Sequence, residues 1–313
     1  MQSLEIQDFD DSALEVGIPR ERRREPRCRN GLSIDVEDYY QVSAFEKSIA
    51  FSDWTKHESR VFGNTVRILE VLQHQRVKAT FFILGWIAEF IPKVVREIAE
   101  AGHEIACHSY NHRLVYELTP SQFREDIRTS KKVLEDISGT PVIGYRAPSY
   151  SITQESLWAL EILIEEGFLY DSSIFPIHHD RYGLPNYPRH PYWIDRNAGS
   201  IREFPPSTLR LGKINLPIAG GGYFRVLPYS MIRWGIQRLN HREGQPAVIY
   251  LHPWELDYNQ PRLNGGYLSN LRHYLNLGRT EHILRRLMSE FTFCPIRELS
   301  PSAGSERKQV VSE

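Results

Sequence analysis

From residue 31 to residue 172 short apolar runs alternate with amphipathic stretches, and no other feature constrains the fold as strongly. Gly31 to Val36 reads as a first strand. Asn64 is placed to cap a helix whose apolar face uses Val66, Leu69 and Leu72, or Ile68, Val71 and Leu72. Val77 to Leu84 is the next strand, closed by Gly85. Pro92 opens a helix carrying Val94, Val95 and Ile98, and Gly102 ends it before the strand His103-Glu104-Ile105-Ala106-Cys107. Thr119-Pro120-Ser121-Gln122 is a capping box with proline at the first helical position, and its helix runs to about Ile137 and stops at Gly139. Pro141 to Arg146 is a strand, Thr153 caps a helix from Gln154 to Glu166, and Phe168 to Ser172 is a strand again. Strands and helices in strict turn imply parallel strands joined by crossover helices.

After residue 175 the pattern loosens into Pro-, Gly-, Tyr- and His-rich segments, with one short strand near Ile201 to Phe204. Pro228 begins a helix to about His241, Ala247 to Leu251 is a strong strand, Thr280 caps a last helix, and Phe291 to Ile296 can form the final strand. The expectation is therefore an α/β fold, a distorted (β/α) barrel with about seven parallel strands, ahead of an open sheet. Residues 1–29 read as a flexible lead-in, 30–299 as one barrel domain, and 300–313 as a disordered tail.

Hydrophobic residues make up 41% of the 313, enough for a large core, and the formal net charge of -1 argues against a nucleic-acid partner. Cys28, Cys107 and Cys294 are odd in number and widely spaced, which predicts a reducing compartment rather than a disulfide framework. The arginine-rich stretch Arg20 to Arg29 is followed by no apolar run of an export signal, and no window is long and apolar enough to span a membrane. Both features point to the cytoplasm. The oligomeric state stays open, a homo-oligomer included.

Chemistry concentrates at strand ends. His108 and His112 stand four apart just past a strand, where two imidazoles can close one side of a metal site. With 12 His in the chain, chance alone supplies about 0.5 such pairs, so the spacing needs its context. A glutamate would follow the first histidine in a zinc peptidase helix; here Ser109 does, so that mechanism is excluded. The acids Asp35, Glu37 and Asp38 end the first strand, and three carboxylates in four residues repel one another unless a cation sits among them. His252 follows the strong strand Ala247 to Leu251, and Arg146 follows another, where an arginine can orient a carboxylate. In a barrel these ends share one opening.

Ile34-Asp35, Lys78-Ala79-Thr80-Phe81-Phe82-Ile83-Leu84-Gly85, Gly102-His103-Glu104-Ile105, His108-Ser109-x-x-His112, Arg146-Ala147-Pro148-Ser149-Tyr150 and Leu251-His252 follow one another in a familiar order. Together they resemble the polysaccharide deacetylases (carbohydrate esterase family 4) over roughly residues 30–255. Asp35-Val36-Glu37-Asp38-Tyr39-Tyr40, His252-Pro253-Trp254-Glu255 and Gly220-Gly221-Gly222-Tyr223-Phe224-Arg225 are similar to the branch found in exopolysaccharide gene clusters with exosortases.

The resemblance implies a divalent metal, zinc by expectation, held by His108 and His112. It also implies Asp35 as general base, Arg146 orienting it, His252 as general acid, and Asp171 tuning that acid. Where most of the family has a second aspartate after the base this chain has Val36, so Glu37 or Asp38 must supply the metal carboxylate, and Asp-x-Asp spacing favours Glu37. The implied reaction is removal of N-acetyl groups from an amino-sugar polysaccharide or a lipid-linked oligosaccharide precursor. Rival readings are a hydrolase of small amides or ureides on the same fold, a metal-free glycoside hydrolase, and a non-catalytic glycan-binding protein.

Overall fold

The computed structural model describes residues 29–299 and 307–309. In chain order its elements are β1 (Asn30–Val36), α1 (Val61–Gln75), β2 (Thr80–Ile83), α2 (Gly85–Phe90), α3 (Pro92–Glu100), β3 (Glu104–Cys107), α4 (Pro120–Ser138), β4 (Gly144–Tyr145), α5 (Trp158–Glu165) and β5 (Tyr170–Asp171). The second half holds β6 (Tyr192–Arg196), β7 (Gly199–Glu203), β8 (Thr208–Leu211), β9 (Ile214–Pro217), α6 (Gly222–Val226), α7 (Tyr229–His241), β10 (Val248–Leu251), α8 (Tyr267–Tyr274), α9 (Arg279–Glu290), β11 (Phe293–Cys294) and β12 (Arg307–Gln309).

Strands β10-β1-β2-β3-β4-β5-β7 lie side by side in that order, every neighbouring pair parallel. This is the expected set of about seven strands. β6 adds antiparallel to β7, β11 pairs with β1, and β8 and β9 form a separate hairpin. β1 sits between β10 and β2 with all seven residues buried. Its outward residues Leu32, Ile34 and Val36 are fully covered, each stabilising the fold by roughly 1.5–3 kcal/mol.

Among the described residues no strand fills the gap between β7 and β10; an irregular segment spans it. Phe204 N–H donates to Asp171 O at 2.8 Å on one side, and Ser207 N–H donates to Val248 O at 3.0 Å on the other. Further along, Tyr250 N–H donates to Ala219 O at 2.8 Å, and Gly220 bridges to Tyr250. A side chain at Gly220 would put its Cβ 1.7 Å from Tyr250 O, and φ there is +139°, so only glycine closes the barrel at this point.

Local sequence signals set most helix ends. Thr119 caps α4 in a capping box with Gln122, Pro120 takes the first position, and Gly139 ends the helix at φ +66°. The start of α1 differs from expectation: it begins at Val61, with Asn64 inside it. The cap comes from Asp38, whose Oδ2 accepts Arg60 N–H at 2.9 Å and Val61 N–H at 3.2 Å. The expected helix from Gln154 begins as a tight 3-10 turn, Gln154–Ser156, before α5. β6, β8, β9, α2, α6 and α8 have no counterpart in the sequence pattern. Within 300–313, Arg307–Gln309 form β12 and pair with β6; the remainder of that stretch, and residues 1–28 of the lead-in, lie outside the described residues.

Candidate active site

Side chains alternate faces along β1, so Ser33, Asp35 and Glu37 share the barrel interior while Ile34, Val36 and Asp38 turn away. That parity separates the two candidate metal carboxylates. Glu37 meets the histidines. Asp38 does not join them: its oxygens accept from Tyr39 N–H at 3.0 Å, Ser59 Oγ–H at 2.7 Å and the two N–H groups that start α1. Asp38 is a helix cap, and burial raises its pKa despite those bonds.

His108 leaves the end of β3, and the turn to His112 is built with Ser109 at φ 63° and His112 at φ 58°. Ordinary side chains rarely adopt this left-handed conformation, and here neighbouring helices enforce it. Gly85 N–H and Trp86 N–H, at the start of α2, donate to Ser109 O and Tyr110 O at 2.8 and 3.0 Å, and Ser130 of α4 donates to Ser109 O at 2.9 Å. The helix start gains acceptors, and the turn gains rigidity.

Glu37, His108 and His112 each offer a ligand atom, all within 4.8 Å of one another and all buried. His108 Nδ1–H donates to Arg146 O at 2.8 Å, which fixes the tautomer and frees Nε2 for a ligand role. His112 Nε2 lies 2.8 Å from Glu37 Oε2, yet that oxygen has no aligned hydrogen bond. Two donor atoms this close and not bonded to each other fit ligands aimed at a shared cation. Two imidazoles, one carboxylate and open positions make a donor set suited to a catalytic divalent ion. Burial would raise the Glu37 pKa, but His112 and His252 bring it down to about 2, so the carboxylate stays ionised.

Asp35 faces the same space. Arg146, fully buried at the end of β4, donates from Nη1 to Asp35 Oδ1 at 2.5 Å and to Ser33 Oγ at 2.8 Å. Its other nitrogens are held by Ser172 O at 3.1 Å and Ser172 Oγ at 2.8 Å, and the guanidinium lies 4.2 Å over the Phe82 ring. Arg146 is locked and Asp35 with it. Asp35 Oδ2 is turned towards His252 Nε2, 4.0 Å away, with Glu37 Oε1 at 3.5 Å from the same nitrogen.

The residue that tunes His252 is Glu255. Its Oε1 lies 2.7 Å from His252 Nδ1, and its Oε2 lies 3.1 Å from Nε of the buried Arg225. Burial would lower the His252 pKa, but Glu37, Glu255 and Asp35 raise it to about 9. Asp171, expected in this role, makes no contact with His252. It pairs in register with Glu203 across β5 and β7, where burial pushes it up to about 6 and its Oδ1 accepts from Ser173 at 2.5 Å. Ser173 Oγ in turn accepts Ala147 N–H at 2.8 Å, so Asp171 braces the loop that follows Arg146. Sequence reasoning missed Glu255, Arg225 and Trp254, whose Nε1–H donates to Glu37 Oε1 at 3.2 Å. A carboxylate three residues past a histidine, behind Pro253, was the available signal.

Asp35, Glu37, His108, His112 and His252 line one pocket of about 210 Å³, walled by Tyr150, Tyr182, Tyr250 and Trp254. Ser149 and Tyr150 in its wall are also left-handed, at φ 51° and 55°. Strained residues so concentrated mark a site held in one geometry.

Residues 51–163 match the family model described as polysaccharide deacetylase. Over these residues the chain is similar to the polysaccharide deacetylase family. That match spans His108, His112 and Arg146. Residues 172–300, which carry Arg225, His252 and Glu255, match a model described as a domain of unknown function (DUF3473). Among curated relatives, a peptidoglycan deacetylase-like protein of Gibberella zeae is 26% identical over 64% of this chain and 60% of its own length. A peptidoglycan-N-acetylglucosamine deacetylase of Bacillus cereus is 36% identical over 31% of this chain and 36% of its own. The chain thus spans less than two thirds of either relative.

Solved structures support the fold. A candidate polysaccharide deacetylase of Mycobacterium smegmatis aligns over 87% of this chain and 88% of its own, with a TM-score of 0.55 and 23% identity. A second, from Pseudomonas aeruginosa, covers 85% and 86%, with a TM-score of 0.54 and 15% identity.

Proposed function

We propose that the chain is a metal-dependent hydrolase that removes N-acetyl groups from an amino-sugar polysaccharide or its lipid-linked precursor. The observation that carries this is the convergence, in one pocket, of an arginine-held Asp35, the Glu37–His108–His112 group and a His252 charged by its carboxylate neighbours. The peptidoglycan deacetylases among the relatives support the reaction class.

A divalent cation, zinc on this donor set, would supply Lewis-acid polarisation of the acetamide carbonyl and acidify water. Asp35, fixed by Arg146 through Oδ1, keeps Oδ2 free to take the proton of attacking water. His252, protonated at Nε2 and steadied at Nδ1 by Glu255, donates to the amine, which leaves poorly without a proton.

A metal-free glycoside hydrolase fits less well. Its two carboxylates must flank a sugar roughly 5–9.5 Å apart, whereas Asp35 and Glu37 share one strand face and both reach the same nitrogen of His252. Acetate release from chitin oligomers, peptidoglycan fragments and lipid-linked repeat units is the direct test. Release from none of them by zinc-loaded protein sinks the reading, and turnover confined to small amides or ureides favours the rival on the same fold.

The resemblance of residues 35–40, 220–225 and 252–255 to the exopolysaccharide branch supports a role in exopolysaccharide biosynthesis. Cys107, a buried free thiol, supports work in the cytoplasm. Among the described residues no helix is long and apolar enough to cross a membrane. Recovery of the protein outside the cytoplasm on cell fractionation counts against that location.

A further inference from the structure

The pocket rim carries charge that the chemistry on its floor does not use. Arg181, on the loop between β5 and β6, and Arg272, on α8, both line the pocket and are both exposed. Among the described residues neither guanidinium has an ion-pair partner, whereas Arg60, Arg124, Arg146, Arg189, Arg225 and Arg233 all do. Asp35 and Glu37 are the only carboxylates lining this pocket among the described residues, and both lie deep in it. Asp180, beside Arg181, gives its Oδ1 to His179 Nδ1 at 2.9 Å. Glu46 and Glu117 line the neighbouring hollow, beyond ion-pair reach of Arg181.

Between the cations stands a wall of rings. His179 stacks on Tyr182 with centroids 3.9 Å apart and planes at 14°, and Tyr182 lies parallel to Phe175 at 6.0 Å. Such a wall suits a sugar ring, but a neutral polymer gives two unpaired arginines nothing to bind.

We propose that Arg181 and Arg272 recognise an anionic group, a carboxylate or a phosphate, on the glycan beside the N-acetylated sugar. This rests on the deacetylase reading of the pocket floor. A guanidinium presents a planar fork of donors that matches either oxyanion in two-pronged fashion and gives up its hydration readily. Two like charges held at one mouth repel each other unless a ligand takes them up, and before contact they draw anionic chains in. A uronate within the polymer and the phosphate of a precursor share this chemistry.

Titration calorimetry on the full, zinc-loaded chain tests the idea with three probes. These are chitotetraose, a tetrasaccharide alternating N-acetylglucosamine with glucuronate, and N-acetylglucosamine 1-phosphate. At low ionic strength at least one acidic probe is expected to bind roughly tenfold tighter than chitotetraose. That advantage should shrink in about 1 M salt and fall to about twofold or less in Arg181→Ala/Arg272→Ala. The charge reversal Arg272→Glu, on an exposed helix position, should invert the preference. Preference for the uronate places the anion in the polymer; preference for the phosphate places it in a precursor. Equal affinity for neutral and acidic probes overturns the proposal, as does an advantage that survives both substitutions. Selective acidic binding without acetate release from any acetylated probe would instead defeat the deacetylase reading and leave the rim assignment standing.

Discussion

In the proposed reaction Asp35 and His252 divide a proton transfer between two strand ends, and each is held by a different partner. Asp35→Asn keeps an acceptor for Arg146 but leaves that buried guanidinium without its counter-ion. The expected outcome is a rate about 10²–10⁴-fold lower, a lower melting temperature and unchanged zinc content, checked by kinetics, calorimetry and elemental analysis. His252→Ala should lose activity on the same scale, and the double variant should lose far less than the product of the two. For pH, His252 has a folded pKa of about 9, above its ordinary 6.5. Its contribution to stability is fully present below about 6.5 and is lost as pH rises through about 9. As the acid in catalysis it is lost over the same upper limb, which a cation neutralising Glu37 moves downward. Glu255→Gln removes a carboxylate from Nδ1, so the alkaline limb of the pH–rate profile should fall by about one unit or more. An unmoved limb would mean that Glu255 does not tune His252.

At the scale of elements, one strand end performs two unrelated tasks because alternate residues face opposite ways. Glu37 turns inward to the histidines, and Asp38 turns outward to start α1. Asp38→Ala should therefore cost about 1–2 kcal/mol in denaturant unfolding and leave zinc binding intact. Glu37→Gln should do the reverse to the metal, with zinc content falling in elemental analysis. The two acids are adjacent in sequence; the spacing already favoured Glu37 for the metal, but the task of Asp38 was not legible there. Asp38 meets Arg60 from 22 residues away, a contact no local pattern encodes, and Asn64 consequently read as the cap. The α4 boundaries were legible because Thr119, Gln122 and Gly139 act on their own neighbours. Asp171 and Glu255 show the same divide. Asp171 was implied only by the resemblance to the family, and only the register of β5 with β7 reveals that Glu203 is its partner. Glu255 sits three residues from His252, close enough to have been found.

Across the whole molecule, the site exists because β1, β3, β4 and β10 deliver their ends to one opening, and the irregular segment from Phe204 to Gly221 lets the sheet close around them. Arg146 joins β1 to β4 and to the residue after β5, while Arg225 ties Glu255 to the carbonyls of His273, in α8, and Leu275, just past it. A cation at Glu37, His108 and His112 would cross-link β1 to the turn after β3, and it would neutralise a buried carboxylate that has an orphaned oxygen. Binding to the folded chain alone stabilises it by RT ln(1 + [L]/Kd), about 4 kcal/mol at a thousandfold excess over Kd. Zinc-loaded protein should therefore melt several degrees above chelator-treated protein, and added zinc should restore the difference. In His108→Ala the gap should close, with elemental analysis showing less than the wild-type metal content. This readout does not depend on knowing the substrate. If His108→Ala keeps both its zinc and its thermal response, the cation lies elsewhere and the Glu37–His108–His112 group is not the metal centre.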